Sequence, residues 1–243
     1  MGTPPVGETR ARPTDHRTRR CIIASEPRPV PDLPSKQSWA FVDAWEDDSE
    51  LIREARTRGD ELGCVSISRP VAALLRLLAA SVGAKAAVEV GTGTGVSGAA
   101  LLGGMDEAGV LTSIDIEAEN QRVAKELFTE LGYGHVRSRL IAGRALDVLW
   151  KLSDNSYDVI FIDGDRSEFR AMLDQAKRML RIDGLVVFNG VLADGRMADA
   201  GERDAETVAV RDVLTAVKSD DDWMPALIAV GDGLLVASLR ARS

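Results

Sequence analysis

Short apolar runs alternating with amphipathic stretches organise the chain from residue 38 onward. The stretch Ser38 to Gly63 carries Trp39, Phe41, Val42 and Trp45, then Leu51, Ile52, Ala55 and Leu62, with charged residues between them. Apolar residues recurring at three and four positions predict a pair of amphipathic helices. Ser68 and Pro70 open a further helix, VAALLRLLAASV, that runs to Gly83. Ser68 serves there as the cap and the proline lies near the first turn.

Beyond Gly83 the period switches back and forth. AAVEV (86–90), VLTSID (110–115), RLIAG (139–143), YDVIFID (157–163) and LVVFN (185–189) read as strands. Helical patterns occupy 96–105, the segment after Asp115 to Leu131, ALDVLWKL (145–152), FRAMLDQAKRMLR (169–181) and ETVAVRDVLTAV (206–217). Strands alternating with helices imply crossover connections and a parallel sheet. Runs such as VIFI and LVVF, apolar at every position, suit strands covered on both faces. The end breaks the alternation: ALIAV (226–230) and LLVASL (234–239) are joined by Gly231-Asp232-Gly233. A glycine-rich turn between two strands predicts a hairpin, and so one reversed strand.

Composition narrows the function classes. With 243 residues and 45% apolar content the chain can bury a sizeable core. Cys21 and Cys64 are the only cysteines, and His16 and His135 the only histidines, which excludes a disulfide framework and a cysteine- or histidine-rich metal centre. The net charge of −8 lacks the basic footprint of a nucleic-acid surface. No apolar run approaches the ~18 residues of a membrane span. A cytoplasmic protein without membrane or nucleic-acid partners is expected.

Residues 1–36 stand apart, holding seven of the nine prolines and seven Lys/Arg against four Asp/Glu, while the remainder carries 23 against 34. The segment reads as a disordered Pro/Arg-rich tail. It leaves N-terminal helices over 37–62 and the main domain over 63–243.

The candidate chemistry starts at VEVGTGTGVSG (88–98), where glycines at 91, 93, 95 and 98 follow a strand. No Lys-Ser/Thr pair follows the last glycine, so a phosphate-binding P-loop is excluded. Gly93, Gly95 and Gly98 fit a dinucleotide fingerprint, and Asp115 lies 22 residues beyond Gly93, where a ribose-binding carboxylate belongs. That leaves a nicotinamide-dependent oxidoreductase as one reading. Glu89, two residues before Gly91, places an anion at the mouth of the first strand, where a pyrophosphate would have to lie. A ligand with cationic centres and no phosphate, such as S-adenosylmethionine (SAM), suits it better.

Several separated motifs carry a family resemblance: CVSISRP, EVGTGTGVS, LTSIDIE, IAGRA, DVIFIDGD, NGVLADGR and VGDGL, within about residues 62–240. Together they resemble the class I SAM-dependent O-methyltransferases, in the branch of catechol and caffeoyl-CoA O-methyltransferases and their bacterial relatives. The resemblance implies an α/β Rossmann-like sheet of strand order 3-2-1-4-5-7-6 with strand 7 antiparallel. It implies a cofactor site built from Ile67, Glu89, Gly91, Thr92, Gly93, Ser97, Asp115, Ile116, Arg144, Ala145 and Asp163. Gly91 and Gly93 would admit the methionine part, with Glu89 near its amino group and Ser97 on its carboxylate. Asp115 would hold the ribose, and Ile116 would pack on adenine beside Arg144 and Ala145.

At the catalytic end the chain departs from that pattern. The metal-dependent branch binds Mg²⁺ or a similar cation through the Asp that closes the fourth strand, here Asp163, and an adjacent Asp-Asn pair from the fifth strand. This chain has Asn189-Gly190 there, which leaves Asp163 and Asn189 as a reduced metal site. The family's lysine base is replaced by Arg166, which stays protonated and cannot accept a proton. Asp163 and Arg166 remain the catalytic candidates, acting on a small-molecule hydroxyl or carboxylate. Relatives of this kind are commonly homodimers. The same substitutions also suit a non-catalytic SAM-binding or regulatory protein.

Overall fold

The computed structural model describes residues 1–2 and 35–240, so nearly all of the segment expected to be a disordered tail lies outside the described residues. Two helices come first, α1 (Lys36–Asp43) and α2 (Glu50–Leu62), followed by α3 (Arg69–Ser81). The Ser49 hydroxyl accepts from the Ile52 amide to cap α2, and Gly63 closes it in the left-handed region at φ 72°. A hydroxyl at the start and a glycine just past the end satisfy groups that the helix itself leaves unpaired. Pro70 sits in the first turn of α3, where its missing N–H costs nothing.

Seven strands follow: β1 (Ala86–Val90), β2 (Val110–Asp115), β3 (Ser138–Ala142), β4 (Tyr157–Ile162), β5 (Leu180–Asn189), β6 (Trp223–Ile228) and β7 (Leu234–Leu239). They form one sheet of order β3-β2-β1-β4-β5-β7-β6. The first five are mutually parallel, and β7 runs antiparallel to both β5 and β6, as the hairpin signal requires. The crossovers carry α4 (Val96–Gly104), α5 (Ala118–Glu130), α6 (Gly134–Arg137), α7 (Ala145–Leu149), α8 (Phe169–Met179) and α9 (Ala205–Ser219).

The two-residue period of the strands sorts side chains into two cores. Val88, Val90, Ile160, Ile162, Val186 and Phe188 turn to the layer of α7, α8 and α9. Ala87, Val159, Phe161 and Val187 turn to the layer of α2 to α5. Phe161 and Phe188 are wholly buried, each a gain of about 1.5–3 kcal/mol over exposure. Among the described residues no helix is long and apolar enough to cross a membrane.

Boundaries differ from the sequence expectation in the middle of the chain. α8 ends at Met179 and β5 begins at Leu180, earlier than the apolar run at 185. Leu180 pairs with Tyr157 and Leu185 with Val159, so the residues between them form a bulge, with Asp183 at φ 66°. A polar bulge has no two-residue alternation, which is why the pattern there looks like the tail of a helix. α7 stops at Leu149, short of the predicted end at Leu152, and Trp150 just beyond it is 64% exposed. β6 starts at buried Trp223, three residues before the predicted run.

Candidate functional site

β1 and β4 are neighbours, yet the chain leaves β1 for α4 on one face of the sheet and β4 for α8 on the other. Such a switch opens a crevice at the carboxyl ends of the strands. Two adjoining cavities occupy it. One, of about 150 Å³, lies between the Cys64–Ile67 segment and the glycine loop, and Ser97 also lines it. The other, of about 300 Å³, is lined by Ile116, Arg144, Ala145, Glu168 and Met172 among others. Gly91, Asp115 and Asp163 line both.

Strand hydrogen bonding fixes these shared residues. The Gly91 amide donates to Ile114 O, the Asp163 amide to Val90 O and the Gly143 amide to Asp115 O, each at 2.8 Å. Gly91 has φ 91°, and a Cβ there would meet the Asp163 carbonyl oxygen at 2.2 Å. The first glycine of the loop is therefore demanded by the neighbouring strand end, in addition to whatever ligand it faces. Asp115 Oδ2 accepts from the Gly93 amide and Oδ1 from the Glu117 amide, both at 2.8 Å. A carboxylate has about four acceptor positions, so the side chain keeps capacity for a ligand hydroxyl.

Glu89 corrects the sequence expectation. It lines neither cavity and is wholly buried. The alternation that sends Ala87 to the α2–α5 layer sends Glu89 there too, beneath α4, where a Cβ on Gly98 would come within 3.0 Å of its Oε2. Its Oε2 accepts from Ser113 Oγ at 2.5 Å. Thr92 Oγ1 lies 2.7 Å from Ser113 Oγ, and Gln121 Nε2 reaches Thr92 Oγ1 at 3.4 Å and Ile141 O at 2.8 Å. These contacts form one run of side chains from Gln121 through Thr92 and Ser113 to Glu89. Burial pushes the Glu89 carboxyl up to about 8, against the opposing hydrogen bonds of Ser113 and Ser97. At neutral pH the group is mostly neutral, so it does not repel phosphate from the crevice. The anions that face the ligand space are Asp115 and Asp163 instead.

Asp163 accepts at Oδ1 from Asn189 Nδ2 at 2.9 Å. Burial raises its carboxyl, while the Asn189 hydrogen bond and the Arg166 charge act the other way. Burial and the nearby Asp115 raise the Cys64 thiol as well, which keeps it from the reactive thiolate form. Asp165 is spent on its own turn, accepting from the Ser167 amide and hydroxyl.

Of the residues expected from sequence, the structure brings Ile67, Gly91, Thr92, Gly93, Ser97, Asp115, Ile116, Arg144, Ala145 and Asp163 to the crevice. Arg166 does not line it. Its guanidinium pairs with Asp232 at 3.0 Å, Asp194 at 3.3 Å and Glu206 at 3.6 Å. Sequence reasoning missed Gln121, Thr94 and Glu168. Gln121 had a signal, since it stands one turn before Ala124 on the apolar face of α5 and is 93% buried as a polar side chain (7% exposed). Glu168 had none, because its role is an ion pair to Arg144 across the second cavity, 2.5 Å long.

A seven-stranded sheet with its last strand reversed, and a crevice at the β1/β4 switch closed by a carboxylate at the end of β2, defines the class I methyltransferase architecture. The O-methyltransferase family model matches residues 44–240, and the chain belongs to that family. A Mycobacterium sp. (strain KMS) protein that carries an O-methyltransferase name is 45% identical over 218 residues, 89% of this chain and 99% of that protein. A Corynebacterium glutamicum crystal structure superposes with a TM-score of 0.78 at 31% identity, covering 84% of this chain and 96% of that one. The Streptomyces achromogenes O-methyltransferase of tomaymycin synthesis, solved with SAM, has the same fold, with a TM-score of 0.78 at 24% identity over 86% of this chain and all of the other.

Proposed function

We propose that this protein transfers a methyl group from SAM to an oxygen of a small molecule, a hydroxyl or a carboxylate. The observation that carries the reading is one continuous crevice with Asp115 at one shoulder, Asp163 at the other and Gly91 between them. Two facing carboxylates attract a ligand with cationic centres and disfavour one bridged by phosphates. The methionine end belongs in the cavity beside Ile67, Gly93 and Ser97. Ser97 opens α4, so a carboxylate there meets a hydroxyl and the positive end of the helix. The adenosine end belongs beside Ile116, Arg144 and Ala145, with the ribose hydroxyls on Asp115.

When bound, SAM supplies a methyl group activated by its sulfonium. The protein then has to align the acceptor oxygen in line with that group and relieve it of its proton. Asp163 is the residue for the proton. It faces both cavities, and its raised carboxyl lies closer to neutrality, where a general base works best. Asn189 holds the Oδ1 end in place through its amide.

Calorimetric titration with SAM tests the cofactor assignment. Wild-type protein is expected to bind, and Asp115→Ala to bind at least about tenfold more weakly, the loss of a hydrogen bond to a charged group. No heat from folded wild-type protein at millimolar SAM, or binding of NADH in its place, overturns it. A second reading, a SAM-binding protein without catalysis, draws on Arg166 being consumed by ion pairs. Methyl transfer to any of a panel of phenols, catechols and carboxylic acids, lost in Asp163→Asn, defeats that reading.

A further inference from the structure

The resemblance implies a divalent cation held by Asp163 and the two residues that end β5. The residues present do not fit one. Asn189 and Gly190 stand at the β5 end, and among the described residues no group of three His, Cys, Asp or Glu side chains could hold a metal ion. Asn189 can offer a cation only one neutral oxygen, and its amide is used on the Asp163 carboxylate at 2.9 Å. The place that a side chain at 190 would need is also taken. A Cβ on Gly190 would stand 2.7 Å from Arg166 Nη2 and 3.2 Å from its Nε. Gly190 itself is buried at φ 71°, so it is both the space and the turn that let the guanidinium in.

We infer that this site works without a divalent cation, because Asp163 and Asn189 are too few ligands and the Arg166 guanidinium, seated over Gly190 behind the crevice, fills the place that a third ligand at 190 would take. The geometry shows how it is kept there. Arg166 is anchored to the β6–β7 turn through Asp232, to the loop after β5 through Asp194 and to the first turn of α9 through Glu206. The Asp194 amide donates in turn to both oxygens of Asp232 at 3.0 Å. A dication placed beside Asp163 would have one carboxylate and one amide to hold it, because the carboxylates of Asp194, Glu206 and Asp232 are engaged by Arg166. Gly190 and Arg166 thus fit together as a unit: the missing side chain at 190 leaves the room that the guanidinium occupies.

This inference rests on the O-methyltransferase reading for where a cation would sit, and its test is independent of SAM. Mn²⁺ is titrated into the full-length protein and followed by the paramagnetic resonance of the free ion. Wild-type protein is expected to give no saturable binding up to about 5 mM. Saturable one-to-one binding that Asp163→Asn removes overturns the inference. The ligand-restoring variant Arg166→Lys, Asn189→Asp, Gly190→Asn is expected to bind Mn²⁺ at least about tenfold more tightly than wild type. Equal affinity in a folded variant shows that the arginine over Gly190 is not what excludes the metal, and overturns it too. The wild-type titration decides the metal question whether or not that variant folds. SAM binding, measured separately, succeeds or fails without reference to either result.

Discussion

Around Gly91 the wall of the crevice is made of strand ends and a buried run of hydrogen bonds, whereas around Gly190, behind Asp163 and Asn189, the structure is held by loops and ion pairs. The first relies on β1, β2 and β4, whose register places Glu89 beside Ser113 and Phe161. Its side chains are linked locally, from Gln121 through Thr92 and Ser113 to Glu89 Oε2, while Glu89 Oε1 and Thr94 Oγ1 are buried without a partner. The second relies on Arg166, half surrounded by Asp194, Glu206 and Asp232 from three distant segments. The loop it clamps is strained: Ala193 and Asp194 have φ values of 49° and 56°, a conformation that favours glycine. Strands make a wall that tolerates little change, and a clamp of ion pairs makes one that can be rewritten.

The largest expected effect breaks the rigid wall. Gly91→Ala forces a Cβ into the Asp163 carbonyl at 2.2 Å and a positive φ on a residue that resists it. A loss of about 4 kcal/mol or more is expected in urea unfolding, at the high end for a single substitution. SAM affinity should fall with it, because Asp163 must move. A variant as stable as wild type would show that β1 and β4 can separate, and that the strand ends are not what fixes the crevice.

A smaller effect sharpens the comparison by using pH. An unfolded glutamate loses its proton near 4.5, while Glu89 in the fold keeps it to about 8. Between these values the folded state binds the extra proton, so stability declines as pH rises. The contribution of the neutral carboxyl is complete below about 4.5 and gone once pH has passed about 8. Glu89→Gln removes that proton while keeping the shape. Relative to wild type, it should be nearly unchanged at pH 5 and more stable at pH 9, by roughly 2–4 kcal/mol. Parallel melting-temperature profiles for the two proteins would contradict a neutral buried Glu89.

How far the sequence reveals each wall follows from the same contrast. The order of strands is legible because runs such as VIFI carry a parallel strand's signature by themselves. Asp163 and Asn189 come together predictably, since Ile162 and Phe188 are register partners on adjacent strands. The orientation of Glu89 was also within reach, because Ala87 and Glu89 must share a face. The bland appearance of a carboxylate at a strand end hides that it points under α4 rather than into the crevice. The partners of Arg166 were not legible. Asp194, Glu206 and Asp232 lie 28 to 66 residues away on loops and a helix start, and no local period links them. The start of β5 was hidden for a third reason, a polar bulge with a non-glycine residue in the left-handed region.

The smallest expected effect lies at the adenosine end, where the two kinds of wall meet. Arg144, on the loop after β3, reaches Glu168 before α8 and spans the second cavity. The arginine side chain is 61% exposed and the glutamate 21%, so the pair is screened by solvent on one side. Exposed pairs of this sort contribute about 1 kcal/mol or less. Arg144→Ala is therefore expected to leave the unfolding midpoint almost unmoved and to weaken SAM about two- to threefold, mainly through faster release. Added salt should narrow the gap between variant and wild type, because screening removes from the wild type what the substitution removes from the variant. A loss of affinity beyond tenfold would mean that Arg144 contacts the cofactor directly, and that this end of the crevice is built like the Gly190 wall and not like the Gly91 one.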